Sequence, residues 1–462
     1  MVFSSILFLF VYLPVVLAVY YIVPARYRNV WLFAVNLVFY GWGEPVYILL
    51  MLFSIALNYA AGLWIAKYRI ADDKKARAVL TVNTVLNLAL LVFFKYFDLI
   101  AETLSHIPGV HIAPLGLTLP IGISFYTFQT MSYPIDVYRG DTEEQKNFIR
   151  FGTFVALFPQ LIAGPIVRYK DVASQLGARR LSSEQFSSGV QRFTVGLGKK
   201  VLIANNIGAL WDVYAAAPQL SFAGAWLGAI AFSLQLYFDF SGYSDMAIGL
   251  GRMLGFEFLE NFNYPYISKS VTEFWRRWHM SLGTWFRDYL YIPLGGNRRG
   301  LPRQIFNILV VWALTGLWHG ANWTFLLWGL YYAVFLILEK VFLLKKLEKV
   351  PVLAHFYALL VAVVGWMLFQ LNTVGEVTRY WGAMFGASGV TALTQDAFYA
   401  KSYAVILILA AFAATPLPKT LFGRLPQKLR SVLTPVLAAL CLVISTAYLV
   451  DATYNPFLYF RF

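Results

Sequence analysis

The sequence is poor in charged residues, and this shortage excludes most soluble folds. Only 13% of its 462 residues are Asp, Glu, Lys or Arg, whereas 59% are hydrophobic. A typical soluble domain carries about 25% charged residues. Apolar runs long enough to cross a bilayer recur along the chain. The composition therefore predicts an all-α, polytopic integral membrane protein embedded in a lipid bilayer.

Cysteine and acidic residues are also scarce. The chain has one cysteine, Cys441, so an intrachain disulfide is excluded. Lys and Arg outnumber Asp and Glu by 37 to 23, which gives a formal net charge of +14. In a membrane protein, this excess first reflects basic residues retained in cytoplasmic loops. Because no solvated basic domain is present, we predict no nucleic-acid partner.

Several common catalytic signatures are missing. There is no GxSxG motif, so a serine-hydrolase mechanism has no support, and no Gly-rich phosphate loop. His279 and His319 lie 40 positions apart, without HxxxH or HxxE spacing and without a cysteine partner. We therefore predict no metal site.

The apolar runs and the basic residues between them predict a topology. Assigning the Lys and Arg clusters to the cytosol gives about ten full crossings plus re-entrant pieces. Residues 41–45, GWGEP, predict a tight turn between two helices, and the prolines in 148–166 predict a bent or half-inserted segment. Without a repeat or a linker, 1–462 reads as one integral domain.

The segment 301–339 is the most informative part of the sequence, because a histidine interrupts its apolar character. Arg303 and Lys340 flank the segment and both belong to the cytosolic side, so the chain between them crosses twice or not at all. An ionisable group at membrane depth is costly, and His319 is therefore a candidate functional residue.

Two interpretations of His319 remain open from the residues alone. It packs between helices as a hydrogen-bonding group, or it acts as a catalytic base with a near-neutral pKa. Gly316 and Gly320 are expected to leave open space around it, and Trp318 and Trp323 are expected to shape a pocket.

His279 lies in the sequence FWRRWHMSL, between basic and aromatic residues that suggest a segment in the cytosolic interface. The residues alone favour an interfacial histidine near lipid headgroups. The neighbouring arginines are expected to lower its pKa by like-charge repulsion. The basic residues of 252–303 mark the cytosolic side or dock a phosphate-bearing donor such as coenzyme A.

A polar island, Asp239 to Asp245, interrupts another apolar run. As structure, it predicts a helix break whose serines satisfy the freed backbone groups. As function, it would line an aqueous path or orient a catalytic group. The residues alone do not separate these two interpretations.

Four long motifs resemble the membrane-bound O-acyltransferase family, in particular its bacterial alginate O-acetyltransferase branch. They are WRRWHMSLGTWFRDYLYIPLGG at 275–296, LTGLWHGANWTFLLWGLYY at 314–332, FPQLIAGPIVRY at 158–169, and QLYFDFSGYSDMAIGLGRMLGF at 235–256. The resemblance implies a ring of helices around a central tunnel. It places the family's invariant histidine at His319 and its second histidine at His279.

The resemblance also implies the substrates and the surroundings. The donor would be an acyl-coenzyme A, most simply acetyl-CoA, bound as a substrate and not as a permanent cofactor. The acceptor would be a hydroxyl of an extracellular polysaccharide such as alginate, reached through a periplasmic or extracellular acyltransferase partner. The enzyme would lie in the bacterial cytoplasmic (inner) membrane.

The C-terminal tail, 451–462, is expected on the external side, and within its last six residues, 457–462, Tyr459 carries the one side-chain hydroxyl. Its aromatic residues anchor the chain at the interface, or Tyr459 accepts the acyl group and passes it to the partner. The alternative function is a membrane transporter or scaffold for polysaccharide export, without acyl-transfer chemistry.

Overall fold

The structure is a computed structural model that describes residues 1–451, Phe457 and Leu458. Within these residues the chain is helical and has no strand, which confirms the predicted all-α fold. Up to residue 198, the α-helices are α1 (Leu13–Ile22), α2 (Arg28–Gly43), α3 (Ile48–Tyr68), α4 (Asp73–Ser105), α5 (Ile123–Arg139), α6 (Phe148–Ala156), α7 (Phe158–Leu161), α8 (Tyr169–Gly177) and α9 (Ser183–Gly198).

The later helices include the one that carries His319 and the two that flank His279. They are α10 (Asn205–Ala215), α11 (Phe222–Met253), α12 (Val271–Arg277), α13 (Met280–Phe286), α14 (Gly300–His319), α15 (Trp323–Leu338), α16 (Leu344–Leu347), α17 (Pro351–Gln370), α18 (Val374–Met384), α19 (Thr394–Ala413), α20 (Leu417–Gly423) and α21 (Gln427–Asp451). Short π-helical turns at Lys199–Ala204 and Arg287–Tyr291 precede α10 and follow α13.

Seven helices among the described residues are long and apolar enough to cross a membrane, which confirms the polytopic membrane fold. They are α3, α4, α14, α15 with its continuation to Leu347, α17, α19 and α21. The segment 301–339 thus forms two helices of spanning length. The count of about ten crossings stays a prediction, since it rests on the placement of basic residues.

The helices group into two compact units, whose boundaries fall within α9 and α11. The first comprises Met1–Phe193 and Ser244–Leu259, and the second comprises Thr194–Tyr243 and the chain from Glu260 onward. The single integral domain over 1–462 stays a prediction.

In the first unit, the predicted break within residues 148–166 occurs between α6 and α7. Polar side chains form hydrogen bonds with the backbone groups at this break. Irregular backbone in an apolar environment requires such partners. The Phe158 N–H donates to Asn36 Oδ1 at 3.1 Å. The Phe154 carbonyl accepts from the side-chain amides of Gln129 and Gln160 at 3.0 and 2.6 Å.

The predicted helix break in the polar island is wrong, because α11 continues without interruption through Asp239 and Asp245. Each carboxylate instead has a cationic partner in its own unit. Asp245 pairs with Arg192 in the first unit, at 2.6 Å, and Asp239 pairs with Lys200 in the second. The charges are neutralised by pairing, so the helix need not open to solvate them.

In the second unit, glycines bring α14 and α15 into backbone contact. A Cβ atom at Gly316 would overlap the carbonyl oxygen of Phe325, and one at Gly329 would overlap that of Trp312. The space beside Gly320 is taken by the ring of Phe325. The expected open space around these glycines is therefore wrong. Their role is close helix packing, which fixes the end of α14.

A buried carboxylate at the end of α15 holds the start of α12. Glu339 accepts hydrogen bonds from the backbone N–H groups of Val271 and Thr272, at 2.6 and 2.8 Å, and from the Thr272 hydroxyl at 2.6 Å. An anion at a helix N-terminus satisfies free N–H groups and the helix dipole. This contact ties the α14–α15 pair to the segment that carries His279.

Candidate active site

His319 is the last residue of α14 and is 5% exposed. Its ring lies nearly perpendicular to Trp328 and Phe369, with centroid distances of 5.0 and 5.2 Å. Trp318, its chain neighbour, also contacts it, at 5.0 Å. We call Trp318, Trp328 and Phe369 the aromatic wall. Edge-to-face contacts of this kind favour one ring orientation.

His279 lies in the turn between α12 and α13, with a left-handed backbone at φ +45°. Such a conformation is uncommon for a residue other than glycine, and it recurs at functional sites where the surrounding structure imposes it. The side chain is 2% exposed. The interpretation of His279 as an interfacial residue near headgroups is therefore wrong.

A polar frame, made of Asn261 and Ser281, sets the tautomer of His279. Asn261 Oδ1 accepts from the Ser281 backbone N–H at 3.2 Å and from the Ser281 hydroxyl at 2.9 Å. An atom that accepts from a backbone N–H must be the amide oxygen. His279 Nδ1, 3.1 Å from the same oxygen, is therefore the donor. Nε2 then carries the lone pair of a neutral imidazole.

Burial lowers the pKa of His279 from its ordinary 6.5 to about 3. The direction agrees with the sequence-based expectation, but the cause differs. Desolvation of the ring penalises its charged form. The arginines are not the cause, since Arg277 is engaged by Glu273 at 2.9 Å. His279 is thus a neutral hydrogen-bonding group at physiological pH.

Both histidines line one cavity of about 160 Å³, which lies in the second unit. A single water needs roughly 10–15 Å³ on the same measure, so the site has room for a small reacting group. The remaining lining residues are Trp275, Trp278, Leu282, Gly283, Phe286, Arg287, Tyr291, Val311, Trp312 and Thr315. The side chain of Arg287 is 60% exposed, which places one end of the cavity at the surface.

The tryptophans that shape the cavity differ from the pair expected from sequence. Trp323 is 52% exposed and is absent from the lining. Trp318 lies edge-to-face to the His279 ring at 6.1 Å and to the His319 ring at 5.0 Å, and so contacts both histidines. Trp275, Trp278 and Trp312 line the cavity. The sequence pattern placed the first two in an interfacial segment and gave Trp312 no role.

The C-terminal tail also reaches this part of the second unit. The Leu458 N–H donates to Asp239 Oδ2 at 3.0 Å, and the Phe457 ring lies 5.9 Å from Phe240. Phe240 in turn contacts the His279 ring edge-to-face at 4.8 Å. Tyr459 lies outside the described residues, so its proposed role stays a prediction.

The cavity offers nitrogen, hydroxyl and guanidinium groups, but few carboxylates. Across residues 1–451, 457 and 458, no three His, Cys, Asp or Glu side chains converge as a metal-binding group would. The absence of a metal site and of a permanent cofactor remain predictions. Asn261, which sequence reasoning missed, is the main polar addition to the site.

The sequence of the chain also matches a known protein family. The profile described as "MBOAT, membrane-bound O-acyltransferase family" matches residues 141–369, a range that contains both histidines. The chain belongs to the membrane-bound O-acyltransferase family, which confirms the resemblance seen in its motifs. It is a multi-pass membrane O-acyltransferase.

Individual relatives extend the match over the rest of the chain. "Probable alginate O-acetylase AlgI" of Pseudomonas putida is 41% identical over 486 aligned residues, which cover all of both chains. The protein of the same name from Azotobacter vinelandii is 43% identical over 89% of this chain and 83% of its own length. "Peptidoglycan O-acetyltransferase" of Helicobacter pylori is 33% identical over 85% and 81% of the two chains.

Proposed function

We propose that this protein transfers an acetyl group from cytosolic acetyl-CoA for the O-acetylation of an extracellular polysaccharide such as alginate, in the bacterial cytoplasmic membrane. The names of its relatives support the acetyl group and the glycan acceptor. The observation that carries the proposal is that His319 and His279 line the same surface-connected cavity. A transporter or scaffold without chemistry is not favoured, because such a protein has no need of this arrangement.

His319 is the proposed general base. It removes the proton of the acceptor hydroxyl as the oxygen attacks the thioester carbonyl carbon. The new C–O bond forms, the C–S bond breaks, and the thiolate leaves. The proton passes from His319 to the thiolate, so that the products are an acetyl ester and free coenzyme A. General-base catalysis of this kind contributes roughly 10²–10⁴ in rate.

We assign different roles to the two histidines because their surroundings differ. A general base acts best when its pKa lies near the working pH. The pKa of His279 is about 3, too low for that role. Its Nε2 lone pair instead accepts a hydrogen bond from a neighbouring hydroxyl of the acceptor glycan, which orients the attacking hydroxyl so that its own proton points toward His319. His279 is thus a substrate-positioning group.

The rim of the cavity suits a donor that carries phosphates. Arg287 lines the cavity with its side chain 60% exposed and paired with Asp288 at 2.7 Å, and the exposed Arg298 and Arg299 lie in the turn that follows its π-helical segment. Arginine binds phosphate oxygens through paired hydrogen bonds. We propose that these residues hold the nucleotide part of acetyl-CoA, while its thioester enters the cavity.

A second acceptor is proposed because the tail docks beside the site. Tyr459 follows Leu458, whose N–H is bound to Asp239 next to Phe240. Its phenol would take the acetyl group first and pass it to a periplasmic or extracellular acyltransferase partner. Mass spectrometry of protein incubated with labelled acetyl-CoA tests this. Acetylation elsewhere, with Tyr459→Phe fully active, would reject it.

The experiment for the main proposal uses purified full-length protein with labelled acetyl-CoA and alginate oligosaccharides. We expect release of the coenzyme A thiol and labelled ester on the oligosaccharide or on the protein. A protein that neither binds coenzyme A nor cleaves the thioester would contradict the proposal and favour the transporter. Acetyl-CoA is distinguished from a carrier-bound thioester by supplying each donor alone.

A further inference from the structure

We propose that the Lys200–Asp239 ion pair is a docking site for the chain's own C-terminal tail. Both residues are almost fully buried, at 3% and 1% exposure, within the second unit. Asp239 lies on α11, and Lys200 lies on the π-helical turn Lys199–Ala204. The two elements meet closely at Gly242, where a Cβ atom would come within 3.2 Å of the Lys200 backbone nitrogen.

The tail binds this pair through backbone and ring contacts. One oxygen of Asp239 faces Lys200, and the other accepts the Leu458 N–H at 3.0 Å. The Phe457 ring packs against Tyr243 at 4.7 Å, and the Lys200 ammonium lies 5.9 Å from its centroid. Phe457 and Leu458 are themselves buried. These two residues are therefore held within the second unit and do not serve as interfacial anchors.

Helix α21 brings the tail to this position. Cys441 of α21 contacts the Thr194 carbonyl, at 3.4 Å, and lies against Gly198, immediately before the π-helical turn. The helix ends at Asp451, and by Leu458 the chain has returned to α11. The docking site is thus formed by the same elements against which α21 packs.

The physical case for a docking site rests on the cost of buried charge. An ion pair removed from water is stable only when further hydrogen bonds satisfy its remaining lone pairs. The tail contributes one such bond to Asp239, and a hydrogen bond to a charged acceptor is stronger than one between neutral groups. Docking therefore stabilises the pair, and the pair holds the tail.

The position of the site gives it a role. Phe240, the residue after Asp239, contacts both the His279 ring and the Phe457 ring, at 4.8 and 5.9 Å. The docked tail thus lies one aromatic ring away from the catalytic cavity. We assign Lys200 and Asp239 as positioning residues that keep the end of the chain beside His279. This role rests on the proposed function, whereas the docking itself does not.

Photo-crosslinking tests the docking in native membranes. With p-benzoylphenylalanine at position 457, we expect a crosslink to the peptide that contains Phe240 and Tyr243. The same label at Phe398, an exposed residue of α19, is the control and should not give that product. Absence of the α11 crosslink in the position 457 protein would overturn the proposal, whether or not the protein is active.

A matched pair of variants isolates the hydrogen bond. Leu458→Pro removes the N–H donor, and Leu458→Val keeps it with a side chain of similar size. Loss of a hydrogen bond to a charged group corresponds to about a tenfold to a hundredfold fall in the docking equilibrium constant. The Pro variant should therefore give much less crosslink than the wild type, and the Val variant should retain it. Equal crosslinking in both would overturn the proposal.

A double variant removes both charges of the docking site, so that no unpaired charge remains buried. Lys200→Met combined with Asp239→Leu replaces the pair by apolar side chains, a change that buried pairs often tolerate. We expect the folded protein to lose the crosslink and to form less acetyl ester on the acceptor, while release of the coenzyme A thiol persists through hydrolysis of the thioester to acetate. A simple folding defect would lower both activities together. If the crosslink survives in the folded double variant, the proposal is overturned.

Discussion

The two histidines of the cavity are held by opposite kinds of surroundings. His319 lies against the aromatic wall, with Trp328 and Phe369 nearly perpendicular to its ring. His279 lies in the polar frame, where Asn261 Oδ1 accepts its Nδ1 proton. The His319 ring packs edge-to-face against aromatic side chains, whereas the His279 ring accompanies a left-handed backbone and donates to an amide oxygen. The same residue type is thus prepared for two tasks.

The difference shows how one cavity can contain a base and a neutral partner. The polar frame fixes the tautomer of His279, and burial lowers its pKa to about 3. Aromatic packing restricts the orientation of the His319 ring. We therefore expect substitutions at His319 to remove chemistry, and substitutions in the polar frame to change orientation and pH dependence.

The largest effect is expected from His319→Ala. If His319 is the general base, acetyl transfer should fall about 10²- to 10⁴-fold, because general-base catalysis is worth that much. The fold should persist, since the removed ring lies at the end of α14, beyond the glycine contacts. The measurement is thiol release and ester formation by the purified variant, with thermal unfolding as a check.

The matched control is His106→Ala. His106 is exposed at the end of α4, where its Nδ1 contacts the Glu102 carbonyl at 2.8 Å, and it lies outside the cavity. Its loss should leave turnover unchanged. Near-normal turnover in the His319 variant would contradict the assignment of the base and remove the contrast between the two histidines.

Much of the fold follows from hydropathy and from proline and glycine positions. The two helices of 301–339 and the break before Pro159 are present, whereas the turn predicted at 41–45 lies at 44–47, because α2 continues through Gly43. The continuity of α11 was not predictable from its own residues. Asp239 and Asp245 are visible in the sequence, but their partners lie on α9 and the following turn. Only the tertiary structure brings the cations to them.

A site residue could be predicted from the sequence where its polarity contrasts with that of its own segment. His319 stands alone in an apolar run, so its burial followed from sequence. The burial of His279 did not, because its frame depends on Asn261, which is 18 positions away along an irregular loop. Hydropathy gives no sign of such a contact, and the family resemblance was needed to pair the two histidines.

An intermediate effect is expected from Asn261→Asp. A carboxylate beside Nδ1 stabilises the imidazolium form and therefore raises the pKa of His279. As the pH falls through this raised value, Nε2 gains a proton and loses the lone pair that orients the acceptor. Transfer should then fall about tenfold for each unit below the new pKa. The measurement is the pH–rate profile from about pH 5 to about pH 8.

The wild type provides the comparison for that profile. With a pKa of about 3, His279 stays neutral across this range, so it should add no inflection. Its lowered pKa also contributes stability that is present above its ordinary 6.5 and is lost as the pH falls toward 3. Asn261→Asp should reduce that loss. An unchanged rate profile in the variant would contradict the role given to the polar frame.

The smallest effect is expected from Phe369→Leu, which weakens the aromatic wall without touching a titratable group. Leu keeps most of the apolar volume but removes the edge-to-face contact with His319, worth about 0.5–1.5 kcal/mol. Turnover should fall by about twofold to tenfold, with no change in the pH–rate profile. A shifted pH–rate profile would show that the aromatic wall affects proton binding at His319. The surroundings of the two histidines would then differ in degree and not in kind.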